Sequence, residues 1–112
     1  MQIIQRTKIG QVEVFAIDGG IDRTTHDEFV ADMQEIIDAG ARQVVLDFSR
    51  LTYMNSLSLG TLVRVHQRFK KAGAALKFAE LHTNVVAILH FARLDHVFDL
   101  YEDIEAAVKS FK

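Results

Sequence analysis

Two serine hydroxyls, those of Ser56 and Ser58, stand where α/β proteins often place a functional group. They follow an apolar run that ends at Phe48, and a helical pattern begins directly after them. A serine in the first turn of a helix meets free backbone N–H groups and the positive end of the helix dipole, which both favour an anion. Either hydroxyl could therefore accept a phosphoryl group. The alternative is an N-cap, worth about 1 kcal/mol, and caps are much commoner than phosphorylation sites.

The neighbours of these serines are candidate contact residues. Met54 and Leu57 are apolar and flank Ser56, and on a loop they would form part of a protein-binding patch. We expect Leu57 to be a contact residue and Met54 to tuck into the core. Asn55 is a residue that turns and helix caps favour.

No other group of residues predicts catalysis or metal binding. The histidines show no pair at i, i+4 and no HExxH motif, and His66 lies on an apolar helix stripe where packing is the usual role. Asp22 and Asp95 suit turns or caps, whereas Asp47 interrupts an apolar run and could line the functional edge. A G-x-S-x-G elbow, a glycine-rich phosphate loop and a cysteine nucleophile are all missing. We therefore expect a protein that is not an enzyme and that carries no metal and no cofactor.

Composition excludes several classes of partner. The chain has 112 residues, the size of one domain, which we assign to 1–112. Lys plus Arg is 13 and Asp plus Glu is 15, so the net charge of −2 argues against nucleic acid and against a polybasic membrane anchor. No apolar run approaches the roughly 20 residues of a membrane helix, and the N-terminus lacks signal-peptide features. The absence of cysteine suits a reducing compartment, and we expect a cytoplasmic protein.

The elements that must position these residues alternate between strands and helices. A capping box at Thr25 and Glu28 predicts the start of a first helix that Gly40 ends, and Thr83 is expected to cap a third. Alternation after residue 40 predicts an α/β layer with parallel crossovers. The predicted strands are 2–8, 11–18, 44–48, 75–79 and 97–101, and the other helices carry apolar stripes over 59–69 and 104–111.

Three stretches of the chain resemble the core of STAS domains, the family of the anti-sigma factor antagonists, also called anti-anti-sigma factors. These stretches are residues 45–49, 53–60 and 71–77, and the segments 20–22, 94–98 and 101–107 resemble other family motifs in the same order. The resemblance covers nearly the whole chain. It implies an α/β STAS fold with a four- to five-stranded mixed sheet flanked by about four helices.

The resemblance also implies a binding function without catalysis. Family members bind an anti-sigma factor that is itself a serine kinase, and they are released when that kinase phosphorylates a serine at the position of Ser56. A PP2C-type phosphatase reverses the modification. By this resemblance the partner-binding residues are Asp22, Asn55, Ser56, Leu57 and Ser58. A monomer is the default state, with a weak dimer as the alternative.

Two motif positions depart from the family. Asn55 stands where the family has Asp, and Ser58 stands where it has Gly. Losing the carboxylate would slow phosphorylation if that group orients or activates the hydroxyl. Ser58 could cap the helix, which we favour, or be a second phosphoacceptor. These departures leave an alternative function, a STAS module that does not switch, such as a signalling-scaffold component or a subunit of a lipid-transport ABC system.

Overall fold

A mixed β-sheet with helices on both faces forms the structure, a computed structural model that describes residues 2–111. None of the helices in that range is long and apolar enough to cross a membrane. The strands are β1 Gln2–Ile9, β2 Val12–Gly20, β3 Gln43–Asp47, β4 Leu51–Tyr53, β5 Ala75–Ala79 and β6 Asp99–Tyr101. The helices are α1 His26–Asp38, α2 Ser56–Lys71, α3 Thr83–Phe91 and α4 Ile104–Lys109.

The strand order across the sheet is β1-β2-β3-β5-β6, which confirms the predicted STAS arrangement of about five strands and four helices. The hairpin β1–β2 is antiparallel, and the remaining pairs are parallel. The short strand β4, which the sequence did not predict, pairs in parallel with the end of β2. This extra pairing brings the start of α2 to the end of β2.

The alternation of β2 divides the core between the two faces of the sheet. Phe15 and Ile17 join a large cluster under α1, α2 and α3, with Phe29, Leu62 and Leu89 among its fully buried members. The opposite face carries a smaller cluster under α4. That cluster contains Val12, Val14, Val45, Ala79, Ala107 and Val108. The larger cluster therefore anchors the helix on which the candidate serines lie.

Two predicted side-chain caps are absent, although the helices begin close to the predicted residues. Thr25 occupies the N-cap position of α1, but its hydroxyl donates to the Gly20 carbonyl at 2.9 Å and accepts the Asp22 N–H at 3.0 Å, and it forms no capping hydrogen bond with the helix. Thr83 is the first residue of α3 rather than its cap, because His82 occupies the N-cap position. At Thr25 the hydroxyl bonds to the loop before the helix, which a local pattern does not show.

Candidate functional site

The candidate site lies where the chain leaves β2 and where α2 begins. Gly19 N–H donates to the Arg50 carbonyl at 3.2 Å, and Ile21 N–H donates to the Tyr53 carbonyl at 3.1 Å. These two bonds hold the segment after β2 beside the segment that enters α2. Residues predicted from separate parts of the sequence are therefore neighbours in space.

Gly20 allows this close approach. A Cβ atom at this position would lie 2.7 Å from the Tyr53 Cβ and 3.4 Å from the Tyr53 carbonyl oxygen. The first distance is well below ordinary van der Waals contact, so only a residue without a side chain fits without displacing β4. Tyr53 itself keeps 51% of its surface exposed, and its hydroxyl accepts a hydrogen bond from Asn55 Nδ2 at 3.2 Å.

A reciprocal cap between Asn55 and Ser58 starts α2. The Asn55 Oδ1 accepts the Ser58 N–H at 3.1 Å, and the Ser58 Oγ accepts the Asn55 N–H at 2.9 Å. Together these bonds satisfy two backbone donors that a helix start would otherwise leave free. Ser58 is buried, and its hydroxyl donates to the Ile21 carbonyl at 2.5 Å. The capping role that the sequence favoured for Ser58 is present, and burial keeps this hydroxyl from an approaching enzyme.

Ser56 differs from Ser58 in every one of these respects. It is the first residue of α2, it is exposed, and its hydroxyl forms no hydrogen bond within residues 2–111. The first turn of α2 carries no acidic residue, so no carboxylate of that turn competes for the positive end of the dipole. Leu57 beside it is 39% exposed. An exposed hydroxyl in this environment can accept a phosphoryl group and stabilise it afterwards.

Asp22 lies in the loop that Ser58 holds. Its carboxylate accepts the N–H groups of Thr24 at 2.8 Å and Thr25 at 3.1 Å, together with the Thr24 hydroxyl at 2.7 Å. The hydrogen bonds from Thr24 hold the pKa of this carboxyl below its ordinary value. Asp22 therefore orders the loop beside Ile21, and the bond between Ser58 and Ile21 brings this loop to the start of α2, where Asn55, Ser56 and Leu57 lie. Ser58, also predicted to bind a partner, is buried and supports this surface from beneath instead of forming part of it.

Other residues singled out in the sequence have structural contacts. Met54 is partly buried and packs against the core, as predicted. His66 packs edge-on against Phe98 at 5.3 Å between ring centroids, and burial lowers the pKa of its imidazole, with a further contribution from Lys70. Asp95 pairs with His90 at 2.9 Å. None of these side chains takes part in the site at the start of α2.

Asp47 does not line an open functional edge. It ends β3 but is buried, and its carboxylate accepts the Ser49 N–H at 2.8 Å. Arg6 approaches it at 3.9 Å. Among the residues that the structure describes there is no cluster of three or more His, Asp or Glu side chains arranged to hold a metal ion.

Sequence reasoning missed Tyr53 and Gly20 as parts of the site. A run of three residues is too short for periodicity to predict a strand. Gly20 was identified only within the segment 20–22, by its resemblance to a family motif, with no role in positioning another strand. The available signal was the glycine pair Gly19-Gly20, because glycine inside a strand often marks a close approach of another backbone.

Comparison with known proteins places these features in a family. Residues 4–107 match the family model described as "STAS domain". BtrV of Bordetella bronchiseptica, a provisionally named anti-sigma factor antagonist, is 26% identical over 105 residues, covering 94% of this chain and 90% of that protein.

Solved structures share the fold at low identity. A provisionally named anti-sigma factor antagonist of Thermotoga maritima superposes with a TM-score of 0.83 at 18% identity, covering 93% of this chain and 90% of the other. The phosphorylated form of the Bacillus cell fate determinant SpoIIAA superposes with a TM-score of 0.69 at 15% identity, covering 99% of this chain and 100% of the other. A sulfate transporter family protein of Wolinella succinogenes superposes with a TM-score of 0.75 at 14% identity, covering 94% of this chain and 88% of the other.

Proposed function

Because this chain belongs to the STAS domain family, we propose that it is an anti-sigma factor antagonist controlled by phosphorylation of Ser56. In this function it binds an anti-sigma factor with serine kinase activity, and phosphorylation by that kinase releases it. A PP2C-type phosphatase then restores binding, with all partners in the cytoplasm. The chain is the substrate in this cycle, so ATP and metal ions belong to its partners.

The observation that carries the proposal is that capping and exposure belong to different residues at the start of α2. Asn55 and Ser58 form the cap, and Ser56 lies exposed between them with its hydroxyl unbonded. A kinase can therefore reach Ser56 without breaking a bond that the fold needs. The similarity to BtrV, a provisionally named anti-sigma factor antagonist, supports the same function.

Charge explains how one modification would release a partner. A phosphoserine adds about −1.5 to −2 charges at pH 7, and the whole chain carries −2. Phosphorylation would thus roughly double the net negative charge and concentrate it beside Leu57. A partner that docks there must desolvate or repel the new group, and about 3 kcal/mol is a change of more than a hundredfold in affinity.

No refolding is needed for this switch. The free N–H groups of the first helical turn favour the phosphate where it forms, and the cap is independent of the Ser56 hydroxyl. The modified and unmodified forms therefore share one backbone, and the partner distinguishes them by charge and bulk. A phosphorylated form of the structural neighbour SpoIIAA is known, which is consistent with a phosphorylated state of this fold.

Asn55 favours a second candidate function, a STAS module that binds its partner constitutively. Asn55 has no carboxylate to offer a kinase, and both ends of its amide are used, in the cap and against Tyr53. A sulfate transporter family protein also has this fold, so the fold alone does not require an antagonist.

The deciding experiment uses a serine-kinase anti-sigma factor recovered by affinity capture on the full chain from lysate of the source organism. The chain is incubated with that kinase and ATP, and peptides are mapped by mass spectrometry, with Ser56→Ala as the control. We expect phosphate on Ser56 and none on the variant. Phosphate only on Ser58, or on no serine, contradicts the assignment.

A titration then separates the two candidate functions. We expect Ser56→Asp to bind the captured kinase at least a hundredfold more weakly than Ser56→Ala. Equal affinities, or capture of transporter or scaffold subunits in place of a kinase, favour the constitutive module.

A further inference from the structure

Gly60, in the second turn of α2, has no structural reason to be glycine. Its φ is not positive, and a Cβ atom at this position would meet no atom within 4 Å. Glycine inside a helix destabilises a protein relative to alanine, because its backbone loses more freedom on folding. At Gly20 the nearness of Tyr53 explains the missing side chain, but nothing comparable surrounds Gly60. The fold alone therefore does not account for this residue.

Gly60 lies between the candidate site and Arg64 on one side of α2. Ser56 precedes it by four residues and Leu57 by three, so both are its neighbours on the helix surface, and Arg64 follows by four. All four residues are exposed. By the rise of an α-helix, Arg64 lies about 12 Å along the axis from Ser56. The exposed surface at Ser56 thus continues for two turns and has no side chain at its centre.

Arg64 gives the far end of this surface a positive charge that the fold uses little. The charged residues of α2 are Arg64, Arg68, Lys70 and Lys71, with no Asp or Glu among them. The last three lie in the final turn, where they complement the helix dipole, but Arg64 lies in the middle of the helix. Its guanidinium approaches Asp27 at 4.0 Å, and the two side chains are 49% and 83% exposed. A pair this exposed and this long contributes little, so the guanidinium can bind a further carboxylate.

We propose that the binding partner of this domain passes its main chain across α2 at Gly60 and places a carboxylate against Arg64. The missing Cβ leaves room for the partner's backbone, and Leu57 offers an apolar contact beside it. The segment that fits is therefore acidic, with an apolar side chain next to its carboxylate. The identity of the partner as a serine-kinase anti-sigma factor rests on the proposed function.

An acidic segment also agrees with release by phosphorylation. A phosphate on Ser56 would add about −1.5 to −2 charges one helical turn before Gly60. A carboxylate-bearing segment would be repelled by that charge, whereas a basic segment would be attracted to it. The sign of the switch in the proposed function therefore favours an acidic partner over a basic one.

Titration with the partner captured on the full chain tests the contact at Gly60. We expect Gly60→Ala to weaken binding at least about tenfold and Gly60→Leu at least about a hundredfold, because the added atoms occupy the space of the partner's main chain. Ala106→Leu enlarges an exposed residue of α4, on the opposite face of the sheet, and should bind like the wild type. Equal binding by the wild type and Gly60→Leu overturns the proposal.

Two further variants test the charge of the partner's segment. Arg64→Gln should weaken binding at least about fivefold, because it removes the cation that the carboxylate meets. Asp27→Asn removes the competing carboxylate beside Arg64 and should bind the partner at least as tightly as the wild type. If Arg64 acted only through its ion pair with Asp27, both variants would weaken binding. Weaker binding by both variants, or an unchanged affinity for Arg64→Gln, overturns the acidic contact.

Urea unfolding tests the role of Gly60 on this chain alone. Gly60→Ala should raise the urea midpoint while it lowers the affinity for the partner. A midpoint below that of the wild type would mean that the fold requires glycine here, and it would overturn the proposal without any partner.

The same titrations apply if the captured partner is not a kinase. Absence of phosphate on Ser56 therefore contradicts the proposed function and leaves the contact at Gly60 to its own test. Capture of no partner contradicts both.

Discussion

Asn55 and Ser58 each accept the backbone N–H of the other, at 3.1 Å and 2.9 Å, and thereby begin α2. Ser56 lies between them in sequence and takes no part in this exchange. The fold therefore depends on two of these three polar residues, and the third is free for chemistry. This difference can be measured by substitution.

Ser58→Ala should lower the free energy of unfolding by about 2–3 kcal/mol. The change removes one acceptor of the cap and leaves the Ile21 carbonyl without its buried donor. Urea unfolding measures the loss, and Ser56→Ala, at an exposed position, should stay within about 0.5 kcal/mol of the wild type. Equal effects of the two alanines would show that the cap does not stabilise the domain.

Gly20→Ala should destabilise the domain by about 1–3 kcal/mol, because its Cβ would overlap Tyr53. Gly60→Ala is the matched control. Gly60 lies within α2, and a Cβ there would have no atom within 4 Å, so alanine should stabilise by about 0.5–1 kcal/mol. Thermal or urea unfolding of both variants measures whether each substitution raises or lowers the free energy of unfolding. If Gly60→Ala lost as much stability as Gly20→Ala, overlap with Tyr53 could not explain the effect at Gly20.

Asn55→Asp should leave stability unchanged or raise it by a few tenths of a kcal/mol, because Asn and Asp cap equally well and the helix dipole favours a carboxylate. Under the proposed function the same variant should be phosphorylated faster by the captured kinase, since it restores the carboxylate beside Ser56 that the resemblance to the family implies. Initial rates at equal concentrations test this expectation. An unchanged rate would make Asn55 a structural residue only.

The stability of the domain should fall as the pH is lowered from about 7.5 to about 5.5, in part because of His66. Burial against Phe98 lowers the pKa of this imidazole, and Lys70 lowers it further. The unfolded chain, with an ordinary histidine pKa near 6.5, binds the proton first, so acid favours unfolding. His66→Gln should reduce the slope of unfolding free energy against pH. An unchanged slope would rule out a contribution from His66.

The main helices and strands could be predicted from the periodicity of apolar residues in the sequence. The elements that could not be predicted depend on contacts between residues far apart in the chain. The apolar run 44–48 and the stripe from Leu59 to Phe69 appear as β3 and α2, and Gly40, with a φ of +99°, ends α1 as expected. β4 has three residues, and its partner in β2 lies about thirty positions earlier in the chain. A pattern read over a short stretch of sequence includes β4 or its partner in β2, but not both, and so cannot predict that they pair.

The candidate site shows the same limit at the level of single side chains. Ser58 satisfies a local rule, so its capping role could be predicted, but its bond to Ile21 could not. Thr25 fits a local rule equally well, but its hydroxyl accepts the Asp22 N–H and donates to the Gly20 carbonyl, and it forms no capping hydrogen bond. The role of such a residue depends on whether its side chain bonds to a neighbour in sequence or to a residue that is distant in the chain. Only the folded structure shows which of these hydrogen bonds forms.

The hydrogen bond from Ser58 to Ile21 joins residues 37 positions apart. The loop of Asp22 and the segment 55–58 meet only after β2, β4 and the start of α2 have all assembled. Neither segment by itself forms the complete surface. The proposed partner, if it binds this surface, would therefore distinguish the folded domain from an unfolded chain.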